Sequence, residues 1–243
     1  LYSNASSYDT VADMQADTTL TAGMICHTLG FHSANDNGAA WYQIKSTGTA
    51  NGMDILGCQN SLKAHLSIEN DCYYAEQLGM VADNVTDNEP ILSSFLSAHI
   101  NATIVFGCGV YRFSPLDISG SALATGNEED YTPGFSLIGS NFGFANPRIT
   151  SYGESGSTID YQTFYDQDAE NITVFAPISD QDYIFNINVI SNVTLKNIFF
   201  TTIGENTLYA VTDVLKLHRC NFSLFENLHF CYVNGCCINS FNC

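Results

Sequence analysis

The chain has 243 residues, with 7 Lys and Arg against 25 Asp and Glu and a formal net charge of -18. That balance excludes a nucleic-acid partner, because phosphate backbones draw most of their affinity from Lys and Arg. It equally excludes an anionic membrane surface. Only 13% of residues are charged and 45% are hydrophobic, so the expectation is a folded chain with an acidic surface rather than a disordered tail. No apolar run reaches 18 residues and no basic-then-apolar leader opens the chain, so no membrane insertion is expected. The chain opens on Leu1 rather than Met, and Cys236 to Cys243 stop within an apolar–polar pattern. These ends lead us to expect a piece of a longer protein. Nine cysteines in a loose, odd set do not suggest a disulfide framework. Sequons at Asn4, Asn84, Asn101, Asn171, Asn192 and Asn221 are what an Asn-rich chain produces by chance.

Residues 8–68 read as short strands and turns. Met24 to Gly30 form a strand, Asn35-Asp36-Asn37-Gly38 a turn, and Ala39 to Ile44 the returning strand of a hairpin. A further turn spans Thr47 to Gly52, before Met53 to Leu56. Ile91, Leu92, Phe95 and Leu96 recur at helical spacing. Thr86 and Glu89 fit a capping box for that helix, with Asp87 as the rival cap, since Pro90 then falls in the first turn. Thr103 to Phe106 and Val110 to Phe113 are strands about a Gly107-Cys108-Gly109 turn. Beyond 115 strand follows strand: Phe135 to Gly139, Ile172 to Phe175, Tyr183 to Ile187. Residues 140–168, rich in Gly, Ser, Tyr and Asp, read as a long surface excursion. Asn192 to Phe200 recur as Asn221 to Phe230 at an offset of 29–30 with one inserted residue. A repeat of that period built of strands indicates a β-solenoid.

The stretch from Tyr74-Ala75-Glu76-Gln77-Leu78-Gly79 through Asp83-Asn84-Val85-Thr86-Asp87-Asn88, the helix, and Ile104-Val105-Phe106-Gly107-Cys108-Gly109-Val110-Tyr111-Arg112 resembles the opening of pectate-lyase-like β-helices. Asp83-Asn84 stands where that family has aspartate-glycine, and Cys108 stands near its usual proline. Val11 to Met14, Thr21 to Met24 and Thr28 to Tyr42 are similar to the small domain that precedes the β-helix in many bacteriophage tailspikes. The resemblance covers roughly residues 11–112. It implies an all-β chain: a small N-terminal β-rich, tail-proximal domain, 1–70, then the start of a helix-capped right-handed parallel β-helix, 71–243, truncated after a few turns. It further implies a homotrimeric virion tail protein, in contact with other tail or baseplate proteins, that attaches the particle to a host cell-surface polysaccharide, this chain being its tail-proximal part. An active polysaccharide depolymerase of the same architecture, a glycoside hydrolase or lyase with catalytic residues beyond this segment, is the alternative. A secreted pectinase-like enzyme is favoured only by the sequons.

No catalytic residue is assigned, and no metal or cofactor is expected. Tyr152, Tyr161, Tyr165 and Asp166, with Phe164, are the candidate glycan-binding residues, because sugar surfaces use exposed aromatic faces beside polar groups. Asp166, Asp168 and Glu170, and Asp180 and Asp182, place carboxylates on one face if extended, where they could bind calcium or line a sugar groove, and solvated loop acids are the better reading. His218 and Cys220, and His229 and Cys231, share an i, i+2 spacing that stacked buried cysteines explain without zinc. Most Phe are expected in the core, and Trp41 is expected to pack the N-terminal domain. The acidity makes an acidic polysaccharide an unnatural ligand unless basic residues such as Lys196, Lys216 and Arg219 cluster.

Overall fold

The computed structural model describes residues 5–99, 101–119, 134–139, 172–202, 209–220, 223–231, 233, 235–241 and 243. Its tertiary contacts divide it into Leu1–Val81 and Ala82–Cys243. The division falls eleven residues beyond the expected boundary at 70. The reason is local: Gln77 donates to the Ala39 carbonyl at 2.7 Å and His32 Nε2 meets the Gly79 carbonyl at 2.9 Å, tying residues 72–79 into the first unit.

The first unit contains β1 (Ser6–Tyr8), α1 (Val11–Ala16), β2 (Ile25–Thr28), β3 (Ala40–Lys45), β4 (Ile55–Gly57), β5 (Lys63–Leu66) and β6 (Cys72–Tyr74). Five of these strands form a sheet in the order β1-β2-β3-β5-β4. β2 and β3 are the expected antiparallel hairpin. Its loop is gathered by Asp36, whose carboxylate accepts the N–H groups of Phe31, His32, Ser33 and Gly38 at 2.7–3.0 Å. Positive φ falls on Asn35 and Asn37, where short amides tolerate the left-handed region. The helix α1 was not foreseen among strands and turns. Thr10 starts it: its hydroxyl accepts the Asp13 N–H and the Asp13 carboxylate accepts the Thr10 N–H, both at 3.1 Å. Val11 and Met14 are its buried residues. Trp41, expected to pack the N-terminal domain, rests on the His27 ring at 4.5 Å but is 42% exposed and lies outside the core. The period of two in β3 sends Tyr42 and Ile44 inward and Trp41 outward.

The second unit opens with β7 (Asp83–Asp87) and α2 (Glu89–Ala98). Then come β8 (Thr103–Phe106), β9 (Gly109–Phe113), β10 (Leu116–Ser119), β11 (Ser136–Gly139), β12 (Thr173–Pro177) and β13 (Gln181–Asn188). β14 (Thr194–Lys196), β15 (Phe199–Thr201), β16 (Val211–His218), β17 (Leu224–Glu226), β18 (His229–Cys231) and β19 (Cys236–Phe241) follow. From β8 onward every third strand returns to the same sheet. β8, β11, β14 and β17 line one sheet, β7, β9, β12, β15 and β18 the second, and β10, β13, β16 and β19 the third. All the pairs are parallel. The unit is a parallel β-helix.

Its interior is a stack of like residues from successive turns. Ile104, Leu137 and Leu195 lie in register on the first sheet and are fully buried. Tyr111, Phe175, Phe200 and Phe230 follow one another on the second. Leu116, Phe185 and Leu215 do so on the third. Phe175 is the hub, with ring centroids of Phe106, Phe113, Phe185 and Phe200 at 4.8–5.7 Å. Edge-on packing at these distances suits the ring quadrupoles. The repeat holds at a strict offset of 30, pairing Leu195 with Phe225 and Phe200 with Phe230. The offset of 29 at its start is therefore corrected, because β14 and β17 pair only after the inserted residue. At the next turn Asn197 and Asn227 are both left-handed, and the Asn227 amide donates to Asn197 Oδ1 at 3.1 Å.

The start of α2 also departs from expectation. Asn88 is the N-cap and makes no side-chain cap, so Thr86 and Glu89 form no capping box. Thr86 lies in β7, and its hydroxyl donates to Asp83 at 2.6 Å. Asp87 is not the N-cap either, but its Oδ1 accepts the Glu89 N–H at 3.0 Å and the Ser114 N–H at 2.9 Å. Leu92 and Phe95 are buried, and α2 packs on β10, the edge strand of the third sheet. No helix among the described residues is long and apolar enough to cross a membrane.

Candidate functional site

One row of polar side chains of the second unit runs across the outer face of the third sheet. Its strands alternate, so Leu116, Phe185 and Leu215 point inward while Asp117, Asn186, Lys216 and Asn239 follow one another across the outer face. Asp117 is the centre of one cluster. Its Oδ2 accepts the Tyr183 hydroxyl and its Oδ1 the Asn186 amide, both at 2.7 Å. The Lys216 ammonium sits 5.9 Å from the Tyr183 ring centroid, a cation–π distance. On the next strands the Asn239 amide donates to the buried Asp213 at 3.1 Å. Burial first, then the Asp117 hydrogen bond and charge, push the Tyr183 phenol up to about 12. It therefore stays a proton donor at neutral pH.

Beside this row, a groove of about 510 Å3 is lined by Asp180, Gln181, Asp182, Ala210, Val211, Thr212 and Gly235. It is shallow and open to solvent. Asp180 Oδ1 accepts the Ala210 N–H at 2.8 Å, which fixes one wall. The Gln181 amide N–H donates to the Tyr183 carbonyl at 2.6 Å, while Gln181 Oε1 is buried with no partner among the described residues. At Gly235 a Cβ would come within 1.8 Å of the Val211 carbonyl oxygen, so only glycine fits there. Carboxylates, amides and a phenol arranged this way hydrogen-bond to hydroxyl-rich ligands. The Tyr183–Asp117 pair adds a proton donor beside a carboxylate, the elements of general acid–base chemistry.

Asp180 and Asp182, read from the sequence as loop acids, both line this groove. Tyr152, Tyr161, Tyr165 and Asp166, with Phe164, Asp168 and Glu170, lie outside the described residues. Lys196, Lys216 and Arg219 do not form one basic cluster. Lys196 lies on the first sheet, paired with Glu226 at 3.0 Å, and Lys216 lies on the third. His218 and Cys220 do not share a strand face, because Arg219 between them is left-handed. His218 Nδ1 meets Asn188 Oδ1 at 2.8 Å, and Cys220 turns in to the Ile187 carbonyl at 3.3 Å. Cys220 is buried as expected, but Cys236 and Cys243 are exposed, so a buried cysteine stack does not account for them. Among the described residues no group of three or more His, Cys, Asp or Glu gathers to hold a metal ion. The sequence reading passed over Asp117, Asn186 and Asn239. They lie 69 and 53 residues apart and meet only through the register of the turns.

No family model and no curated protein matches the chain. Solved structures do. Pantoea stewartii WceF, a glycan biofilm modifying enzyme with a bacteriophage tailspike-like parallel β-helix fold, matches with a TM-score of 0.60 at 13% identity over 96% of this chain. The tailspike protein gp49 of Acinetobacter baumannii bacteriophage Fri1, a capsular polysaccharide depolymerase, matches with a TM-score of 0.61 at 13% identity over 92% of this chain. The tailspike of Acinetobacter phage vB_ApiP_P1 matches with a TM-score of 0.56 at 10% identity over 95% of this chain. The chain spans 30%, 42% and 39% of the length of these three proteins. At these identities the likeness establishes the fold, and the chain has the parallel β-helix architecture of bacteriophage tailspikes.

Proposed function

We propose that this chain is part of a phage tailspike or tail fibre that attaches the virion to a host cell-surface polysaccharide. The observation that carries this reading is the polar outer face of the third sheet, where Asp117, Tyr183, Asn186, Lys216, Asp213 and Asn239 lie beside the Asp180–Asp182 groove. Sugar hydroxyls need donors and acceptors in a fixed array, and consecutive turns of a β-helix supply one. The fold shared with tailspikes supports the same reading. In it the protein is a homotrimer on the virion tail, in contact with tail or baseplate proteins. Light scattering on the purified chain tests the assembly: a trimeric mass is expected, and a monomer contradicts it.

A depolymerase reading is favoured by one specific feature, the Tyr183 phenol donating to the Asp117 carboxylate at 2.7 Å, which puts a donor and a carboxylate within hydrogen-bond reach. Release of new reducing ends or unsaturated uronates from a bound polysaccharide supports it. Binding without release leaves a receptor-binding protein alone.

A further inference from the structure

The outer face of the five-stranded sheet in Leu1–Val81 carries a second, independent constellation. Strict alternation buries Tyr42, Ile44, Ala64 and Leu66 and turns Trp41, Gln43, Lys45, Lys63 and His65 outward. The strand register arranges these residues in rows. His27 lies opposite Trp41, Gln43 opposite His65, and Lys45 opposite Lys63. Trp41 is 42% exposed and rests against the His27 ring at 4.5 Å, tilted by 40°. Lys63 Nζ is held by the Ser61 and Leu62 carbonyls at 3.0 and 3.3 Å.

Two features of this face run against the sheet's own stability. Like charges directly opposite one another on a strand pair are destabilising. Yet Lys45 and Lys63, the only Lys or Arg among residues 1–81, face each other although eight acidic residues share that stretch. The chain's single Trp is left half in water when the adjacent inward positions are filled by Tyr42 and Ile44. Departures from local rules of this kind mark functional surfaces.

We infer that this face binds an acidic oligosaccharide, with one sugar ring stacked on Trp41 and a carboxylate at the Lys45–Lys63 pair. Trp41 and Lys45 are four residues apart on one strand, about 13 Å at the rise of a β-strand, so the ligand is an oligosaccharide rather than a single sugar. An aromatic face framed by hydrogen-bonding groups suits a pyranose, apolar on its ring faces and polar at its edge. A protein partner is disfavoured. Stable protein interfaces cover about 800 Å2 per side around an apolar centre, whereas Trp41 is framed by Ser7, His27 and Gln43. Nucleic acid is disfavoured because Lys45 and Lys63 are the only Lys or Arg among residues 1–81, too few to track a phosphate backbone.

Trp41 is the only Trp, so its emission reports this face alone. The whole chain is titrated at low salt with hexagalacturonate, a hyaluronan hexasaccharide and an oligosialic acid. The expected result is a saturable change in emission with at least one of them. Binding should be at least tenfold weaker for neutral maltohexaose and for Lys45→Ser, and wild-type binding to the acidic sugars should weaken at high salt. Far-UV circular dichroism and a thermal melt confirm that Lys45→Ser is folded. Calorimetry with Trp41→Ala, whose exposed side chain is not needed for the core, should show the same loss. Unchanged emission with all three acidic sugars at millimolar concentration overturns the inference, as does wild-type affinity in Lys45→Ser. An oligoglutamate peptide that binds as well as the sugars reassigns the face to an acidic protein and equally overturns it. Because the third sheet carries no Trp, binding there leaves this signal unmoved, and the two proposals fail separately.

Discussion

Asp36 shows how much one side chain organises in this chain. Burial disfavours its charge, but N–H donors from Ser33, Gly38, His32 and Phe31 outweigh it and hold the carboxyl below the ordinary range. A depressed folded pKa adds stability above the unfolded value, and that stability is lost as pH falls through the folded value. Asp36→Asn, which replaces the carboxylate that accepts four N–H groups, should therefore lower stability at pH 7. The gap from wild type should narrow below pH about 4, the ordinary aspartate value. Urea melts at neutral and acid pH measure both. A gap that widens in acid contradicts the account. The Asn35 to Gly38 turn was legible because these residue types favour turns. The exposure of Trp41 was legible only in part: alternation along Ala40 to Lys45 assigns it the face opposite Tyr42 and Ile44, yet hydrophobicity alone assigns it to the core.

At the scale of elements, α2 was readable and its start was not. Leu92 and Phe95 are the buried residues that helical spacing picked out. Thr86 was misassigned because Asp83 captures its hydroxyl and N–H in β7, before the helix begins. Asp87 instead joins the helix start to the β9–β10 turn through Glu89 and Ser114. Asp87→Ala should cost about 2 kcal/mol, by leaving those donors unmatched. Thr86→Ala, exposed and bonded only locally, should stay within about 1 kcal/mol. Thermal melts of the two variants rank them, and the reverse order contradicts this assignment. The helix α1 went unread because Thr10 and Asp13 make a capping box with a side chain shorter than the usual Glu or Gln.

At the scale of the molecule, the solenoid was visible only where its turns keep a constant length. Thr194 to Thr201 and Leu224 to Cys231 repeat at 30 residues. Earlier turns pair at 33, 64 and 69, because intervening segments differ in length. The same irregularity hid the third-sheet row, whose members become neighbours only after the turns stack. Stability of this unit rests on the stacked core. Phe175→Ala removes the hub of five aromatic contacts and should cost about 4 kcal/mol, read as a fall in the urea midpoint. A cost below about 1 kcal/mol contradicts the hub. The central claim is glycan attachment by the third-sheet face. Its most direct test is the affinity of the purified chain for capsular polysaccharides from a panel of encapsulated bacteria, with Tyr183→Ala beside it. The account predicts binding to at least one polysaccharide, weakened at least tenfold by Tyr183→Ala with the fold intact. Binding to none, or binding that Tyr183→Ala leaves unchanged, contradicts it.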